Sequence, residues 1–424
     1  MRKIALVSAT DTLGGAARAT YRLHKGLLEA GVDSEILCQK KSSTDLHTYA
    51  PTSRSEKVLA QLSGILDQLP VRHYKNKIPA RFSPAWSPGT IKRRINERQP
   101  DIVHLHWLGD GALRIEAIAQ LPQPIVWTMH DMWPFTGGCH YSSGCARYKD
   151  SCGTCNVLGS KKRNDLSMRT LGRKKRSWKN IDVTIVSPSR WLADCASQSS
   201  LFRQLPIHVI PNGLDTNIYR PIDRDAARAL LNLPKEANLV MFGALGGDRD
   251  QRKGGGHLKK ALSTLAHDTA TPIELVIFGG QKSVAFEHLE CTVHHFDALH
   301  DDISLALLYS AADVFVAPSE EDNLPNTVME SLACGTPCVA FDIGGMPDMI
   351  EHQTNGYLAH PFEPTDLAMG IKWVLADKSR LNTLKANARI KAVAEFSYRI
   401  QATRYKELYE SILAKVGPSR LSYE

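Results

Sequence analysis

A chain of 424 residues exceeds what one hydrophobic core organises, so two domains of about 200 residues each are expected. With 43% hydrophobic and 23% charged residues and ordinary Gly and Pro contents, the composition excludes collagen-like and intrinsically disordered chains. The formal charge of +8 is uneven: residues 1–200 carry 30 Lys/Arg against 16 Asp/Glu, an excess of +14, and the remainder is acidic. A basic half points to an anionic partner such as nucleic acid, a membrane surface or a phosphorylated substrate, with a solvated surface as the alternative.

No apolar run approaches the roughly 18 to 20 residues of a membrane helix, and Asp11 interrupts the N-terminal segment before a signal-peptide core can form. The expectation is a cytoplasmic, soluble chain whose nine cysteines are mostly reduced. In chain order, short β-rich runs predict strands at Ile4 to Ser8, Ser34 to Leu37, Ile102 to Leu105, Ile125 to Thr128, Thr184 to Ser187 and His208 to Ile210. The basic segment 159–179, opposed only by Asp165, is expected to stay out of any core. Ile210-Pro211-Asn212-Gly213 ends a strand and supplies a turn, which marks a hinge.

The alternation then begins again. Strands are expected at Leu239 to Phe242, Glu274 to Phe278, Val314 to Ala317 and Pro337 to Ala340. The expected helices lie near Ala226 to Leu231, His257 to Leu265, Leu305 to Ala311, Asn326 to Ala333 and Thr365 to Leu375. Tyr398 to Lys415 reads as a last helix, and periodicity does not say which domain it packs on. The fold class is α/β, with two doubly wound, Rossmann-like domains: 1–211 and 212–397.

Several constellations carry chemistry. Gly14 and Gly15 lie between a strand and a helix N-terminus, where backbone N–H groups can approach an anion, although a tight turn needs glycine in any case. The run ALGGDRDQRKGGG follows a strand of the second half, and Arg252 and Lys253 bring cationic donors to its glycines. After the strand Val314 to Ala317, Asp322 precedes a helix N-terminus and Glu330 lies further along that helix, so that two carboxylates can accept hydrogen bonds from sugar hydroxyls. His130 emerges from the carboxyl end of a strand, the edge at which open α/β sheets bind ligands; His104 and His106 share a face of another strand and rank below it. Cys139, Cys145, Cys152 and Cys155, spaced C-x5-C-x6-C-x2-C, suggest structural zinc, with disulfides or free thiols as alternatives.

Taken in this order, GGA at Gly14 to Ala16, HD at His130, VIPNGLD at the hinge, RKG at Arg252 to Gly254 and an acidic pair before CGTP resemble the family 4 retaining glycosyltransferases of the GT-B type, over essentially the whole chain. The HDMWPFTGGCHY segment with its cysteines is similar to bacterial exopolysaccharide and colanic-acid-type enzymes. The sequence departs from the family pattern in having Asp322 at the first acidic position, beside Glu321, and Gly247 where an arginine is usual; Arg249 or Arg252 would compensate.

The resemblance implies two domains facing a central cleft, the second holding a nucleotide-diphosphate-sugar donor and the helix 398–424 crossing back to the first. It implies catalytic roles for His130, Lys253 and Asp322. Donor and phosphate contacts would come from Gly14, Gly15, Arg252, Lys253, Asp322, Asn323, Leu324, Asn326, Thr327 and Glu330. The implied reaction is metal-independent, retaining transfer of a hexose-type sugar to a saccharide or lipid-linked acceptor of bacterial surface polysaccharide. No cofactor beyond the donor and no nucleic acid would take part. The implied location is cytoplasmic, peripheral on the inner face of an anionic membrane that the 159–179 segment would meet. The competing readings are a sugar-nucleotide epimerase of similar form and a zinc- or nucleic-acid-binding module.

Overall fold

Runs such as IVHL at 102–105 and VFVA at 314–317 are rich in β-branched residues and apolar on both faces, which suits parallel strands covered on each side by helices. The computed structural model describes residues 2–243, 250–265, 272–280, 286, 289–299 and 301–416. It divides into two units, Met1–Gly213 with Tyr398–Glu424, and Leu214–Ser397.

In chain order the first unit contains β1 (Lys3–Thr10), α1 (Gly15–Glu29), β2 (Asp33–Lys40), β3 (Thr48–Tyr49), α2 (Arg54–Arg72), α3 (Ile91–Arg98), β4 (Ile102–Leu105), α4 (Ile115–Ile118), β5 (Ile125–Thr128), α5 (Leu166–Ser177), β6 (Val183–Ser187), α6 (Arg190–Ser197) and β7 (Ile207–Val209). Its strands form one parallel sheet in the order β3-β2-β1-β4-β5-β6-β7. Side chains alternate across it: Ala5, Val7, Val103, Leu105 and Trp127 enter one core, while Ile4, Leu6, Ile36 and Ile102 enter the other.

The second unit contains α7 (Arg224–Leu230), β8 (Asn238–Gly243), α8 (Gly255–Leu265), β9 (Ile273–Phe278), β10 (Val293–Phe296), α9 (Asp302–Ala311), β11 (Val314–Ala317), α10 (Asn326–Ala333), β12 (Cys338–Phe341), α11 (Met346–Met349), β13 (Gly356–Ala359), α12 (Pro364–Leu375) and α13 (Lys378–Glu395). Its parallel sheet runs β10-β9-β8-β11-β12-β13, again with a core on each face. The chain then returns to the first unit as α14 (Tyr398–Val416). This helix lies against α1, where Gly26 permits the approach: a Cβ there would sit 2.8 Å from both the ring and the carbonyl oxygen of Tyr398. Glu29 accepts hydrogen bonds from Tyr398 Oη at 2.5 Å and from Arg399 Nε at 2.9 Å.

Two sequence expectations need correction. The basic segment 159–179 does enter a core: Asp165 caps α5, Leu171 and Trp178 are buried, and Lys174 is fully buried, donating to the carbonyl oxygens of Trp133 and Thr136. Its ammonium is satisfied by carbonyls, which a count of charges along the chain does not reveal. Strands β3, β10 and β13 and helix α13 also went unrecognised, because a two-residue strand, VHHF, GYLA and a charged helix carry no strong apolar period.

Candidate functional site

In the second unit the chemistry gathers at the carboxyl ends of β8 and β11. A single 3₁₀ turn, Gln251–Lys253, ends at Gly254 with φ of +73°; a Cβ there would lie 1.7 Å from the carbonyl oxygen of Pro318, so the turn is pressed against the segment after β11. The Glu320 amide donates to the carbonyl oxygen of Arg252 at 2.8 Å and ties the two segments together. α8 begins at Gly255, so Gly255 and Gly256 form the first helical residues and not an open loop. Gly246, Gly247 and Arg249 lie outside the described residues.

This juxtaposition brings Lys253 Nζ to 2.5 Å and Arg252 Nη1 to 3.4 Å from Asp322 Oδ2. Arg252 also donates to the carbonyl oxygen of Glu321 at 2.7 Å and pairs with Asp250 at 3.1 Å. Burial alone would raise the carboxyl pKa of Asp322, but Lys253 and Arg252 outweigh it and hold the group at about 2, ionised across the physiological range. The Asn323 amide donates to Oδ1 at 3.1 Å, and the Gly345 amide donates to the Asp322 carbonyl oxygen at 3.1 Å. Gly344, with φ of +55°, allows that contact, since a Cβ would meet the same carbonyl oxygen at 2.0 Å. Asp322 therefore orders the two cations in addition to whatever it offers a ligand.

Asn326 and Thr327 open α10, while Leu324 is buried just before it. Glu330, one turn further on, is buried and accepts from Tyr309 Oη at 3.0 Å; burial, reinforced by that carboxylate, pushes the phenol well above its ordinary pKa and keeps it a donor. Tyr309 and the Gly344-Gly345 pair escaped sequence reasoning. A diglycine separated by two residues from the end of an apolar strand was the one signal available for the latter.

In the first unit Gly14, with φ of +92°, precedes α1, and no atom lies within 4 Å of where its Cβ would be. His130 follows β5, as expected. Its Nε2 lies 3.0 Å from Nδ1 of His106, whose ring packs 4.1 Å from that of His104. His104 is bracketed by Tyr409 Oη at 2.6 Å and Thr128 Oγ1 at 2.7 Å, and Thr128 by Tyr405 Oη at 2.6 Å. Burial depresses all three imidazoles, His130 to about 4 and the others well below their ordinary value, so the cluster is neutral.

Nε2 of His106 is buried without a hydrogen-bond partner among the described residues. A bare nitrogen there costs less than an orphaned N–H, which favours His106 Nδ1–H donating to His130 Nε2 and leaves the proton of His130 on Nδ1. The turn is fixed from the other side by Asp131. This carboxylate accepts from His140 Nδ1 at 2.6 Å, Trp107 Nε1 at 2.9 Å and the Trp133 amide at 2.9 Å. Ser83 completes that chain, 2.9 Å from His140 Nε2, but all three side chains are buried and serve to brace the turn.

Cys139, Cys145, Cys152 and Cys155 line one small cavity as free thiols, with Cys139 and Cys152 raised by burial, the latter to about 11. Among the described residues no group of three or more His, Cys, Asp or Glu side chains is arranged to hold a metal ion, although the four cysteines share this cavity. Tyr148, Val157 and Leu158 are buried beside them in the same excursion.

Residues 13–218 match the model of Glycosyltransferase Family 4, and residues 223–391 match that of Glycosyl transferases group 1. The chain is 26% identical over 400 residues to a D-inositol 3-phosphate glycosyltransferase of Xylanimonas cellulosilytica, covering 90% of this chain and 88% of the relative. A second enzyme of that name, from Thermobispora bispora, is 25% identical over 331 residues, covering 74% and 72%. Among solved structures, Anabaena HepE in complex with UDP-glucose superposes with a TM-score of 0.68 at 18% identity, over 97% of this chain and 100% of that one.

Proposed function

The chain belongs to the family 4 glycosyltransferases of the GT-B type, and from that premise we propose that it transfers a hexose-type sugar from a nucleotide-diphosphate donor, with retention and without a metal, to a saccharide or lipid-linked acceptor of bacterial surface polysaccharide. The observation that supports this reading is the pair of cations, Arg252 and Lys253, held together by Asp322 close to the N-terminus of α10. A diphosphate entering here exchanges a carboxylate partner for a stronger anion, and the charge that develops as it leaves meets ammonium and guanidinium groups already in position.

In the proposed reaction the bond from the anomeric carbon to the diphosphate oxygen breaks as the acceptor oxygen bonds to the same face. The acceptor proton passes to the departing phosphate oxygen, so no side chain needs to act as base. Glu330 binds the ribose hydroxyls. Asp322, with Asn323, Leu324, Asn326 and Thr327 around it, receives the sugar and phosphate, and His130 donates its Nδ1–H to a sugar hydroxyl. Gly14 and Gly15 offer amides to the acceptor side. The enzyme acts from the cytoplasmic face of an anionic membrane.

A second reading, transfer to a small soluble inositol phosphate, is favoured by the names of the relatives from Xylanimonas and Thermobispora. Thermal-shift screening of purified protein against a panel of nucleotide sugars tests the donor, and anomeric NMR of the product tests retention. Stabilisation by one nucleotide sugar, lost in Lys253→Ala, is expected. A melting curve that no nucleotide sugar moves would refute the donor reading, and turnover with inositol phosphate alone would replace the acceptor.

A further inference from the structure

The helix α2 is amphipathic in the opposite sense to a packed surface helix. Its inward face buries Ser63, Asp67 and Val71; Ser63 Oγ donates to the Pro88 carbonyl oxygen at 3.0 Å, and Asp67 Oδ1 accepts from the Trp86 amide at 3.0 Å. Val58, Leu62, Ile65 and Leu69, spaced four, three and four residues apart, are 47%, 45%, 51% and 38% exposed. At 3.6 residues per turn these four fall within about 60° of arc, roughly half a turn from the buried trio. Together with Leu59 they form an unbroken apolar stripe, and an open groove lined by Arg54, Ser55, Val58, Leu59 and Leu62 runs along its start.

Cations stand at both ends of this stripe. Arg54, Lys57, Arg72, Lys75 and Lys77 are all exposed, whereas of the two acids in α2 Asp67 is turned inward and Glu56 is half-buried. A solvent-facing apolar stripe with cations at both ends, on a helix that buries polar groups, has the composition of an interfacial helix and leaves apolar surface exposed to water at a free-energy cost unless something covers it.

We propose that α2 lies in the headgroup region of an anionic lipid bilayer, inserting its Val58, Leu62, Ile65 and Leu69 stripe while the flanking lysines and arginines meet lipid phosphates. The charge decides between this occupant and a second copy of the chain, because symmetric self-docking would bring two sets of the same cations together, whereas an anionic leaflet complements them. No helix among the described residues is long and apolar enough to cross a membrane, which agrees with one lying in the interface. The assignment moves the membrane contact from segment 159–179, part of which is buried, to α2. It deepens the reading of a lipid-linked acceptor and takes its purpose from that reading.

The test is sedimentation of the whole protein with phosphatidylcholine vesicles containing or lacking phosphatidylglycerol, at low and high salt and without donor. We expect partitioning to the anionic vesicles, weakened by salt, and a loss of at least about tenfold in Leu62→Ser/Ile65→Ser at an unchanged melting temperature. Lys57→Gln/Arg72→Gln should bind less and respond less to salt. Equal partitioning to both vesicle types would overturn the proposal, as would undiminished binding of the apolar variant. So would a dimer by light scattering that Leu62→Ser/Ile65→Ser dissolves while no vesicles bind. Donor binding is measured separately on the same proteins: vesicle binding without any nucleotide-sugar shift would sink the donor reading and leave this one standing.

Discussion

Acidification to pH 5.5 should unfold the first unit preferentially, because its folded state holds four neutral imidazoles. His24, fully buried with Nδ1 2.8 Å from Ser34 Oγ, and His130 are both depressed to about 4, chiefly by burial, and His104 and His106 lie further down. In the unfolded chain each takes up its proton near 6.5. Between these values the unfolded state binds more protons, so stability is present above about pH 6.5 and is lost as pH falls toward 4. From pH 7.5 to 5.5 a group with these two values loses about RT ln 10, or ~1.4 kcal/mol. His24 and His130 together then account for about 3 kcal/mol, and His104 and His106 add to it with the same sign.

The carboxylates with depressed values, such as Asp322 at about 2, still favour the ionised folded form at pH 5.5, so the window reports the histidines together with Lys174, which burial lowers to about 7 and which adds a loss of the same sign. Urea unfolding followed by tryptophan fluorescence is the appropriate assay, since Trp373 is the single tryptophan of the second unit and the other six belong to the first. His24→Gln should flatten the pH dependence by about 1.4 kcal/mol. A stability of the fluorescent transition that is the same at pH 7.5 and 5.5 would refute the burial of neutral histidines.

Lys253→Ala and Glu330→Ala should lower transfer by about a hundredfold, roughly 3 kcal/mol of barrier, with circular dichroism unchanged; near-normal turnover of Lys253→Ala would remove it from the site. Asp322→Glu should retain more activity than Asp322→Ala, and equal steady-state rates would show that the carboxylate does not matter. His106→Phe, which cannot hydrogen-bond His130, should lower kcat more than it raises the donor KM and shift the acid limb of the pH–rate profile, while an unchanged profile would reduce His106 to packing. Gly254→Ala should destabilise the second unit by about 1 to 3 kcal/mol in thermal denaturation and weaken nucleotide binding, since a side chain would need φ near +73° and the space of the Pro318 carbonyl.

The sequence by itself determined the layered plan. Apolar runs such as IVHL, VFVA and CVAF cannot be solvated on either face, so they predict covered parallel strands, and the structure places them in two such sheets. It also marked Lys253, Asp322, Glu330 and His130, since each stands next to a strand end or helix start that a local pattern reveals. What surrounds them was decided by tertiary contact. Tyr309 reaches Glu330 from 21 residues away, Lys253 meets Asp322 across 69, and His130 finds His106 just past the end of a different strand. The same holds for charge and polarity. Lys174 reads as solvated in a basic run yet is buried because two carbonyl oxygens await it, whereas leucines of α2 face outward although they are apolar, because Ser63 and Asp67 have partners inside. Periodicity ranks side chains by their affinity for water. Which face of a helix turns inward depends on the partners that the rest of the chain brings to it.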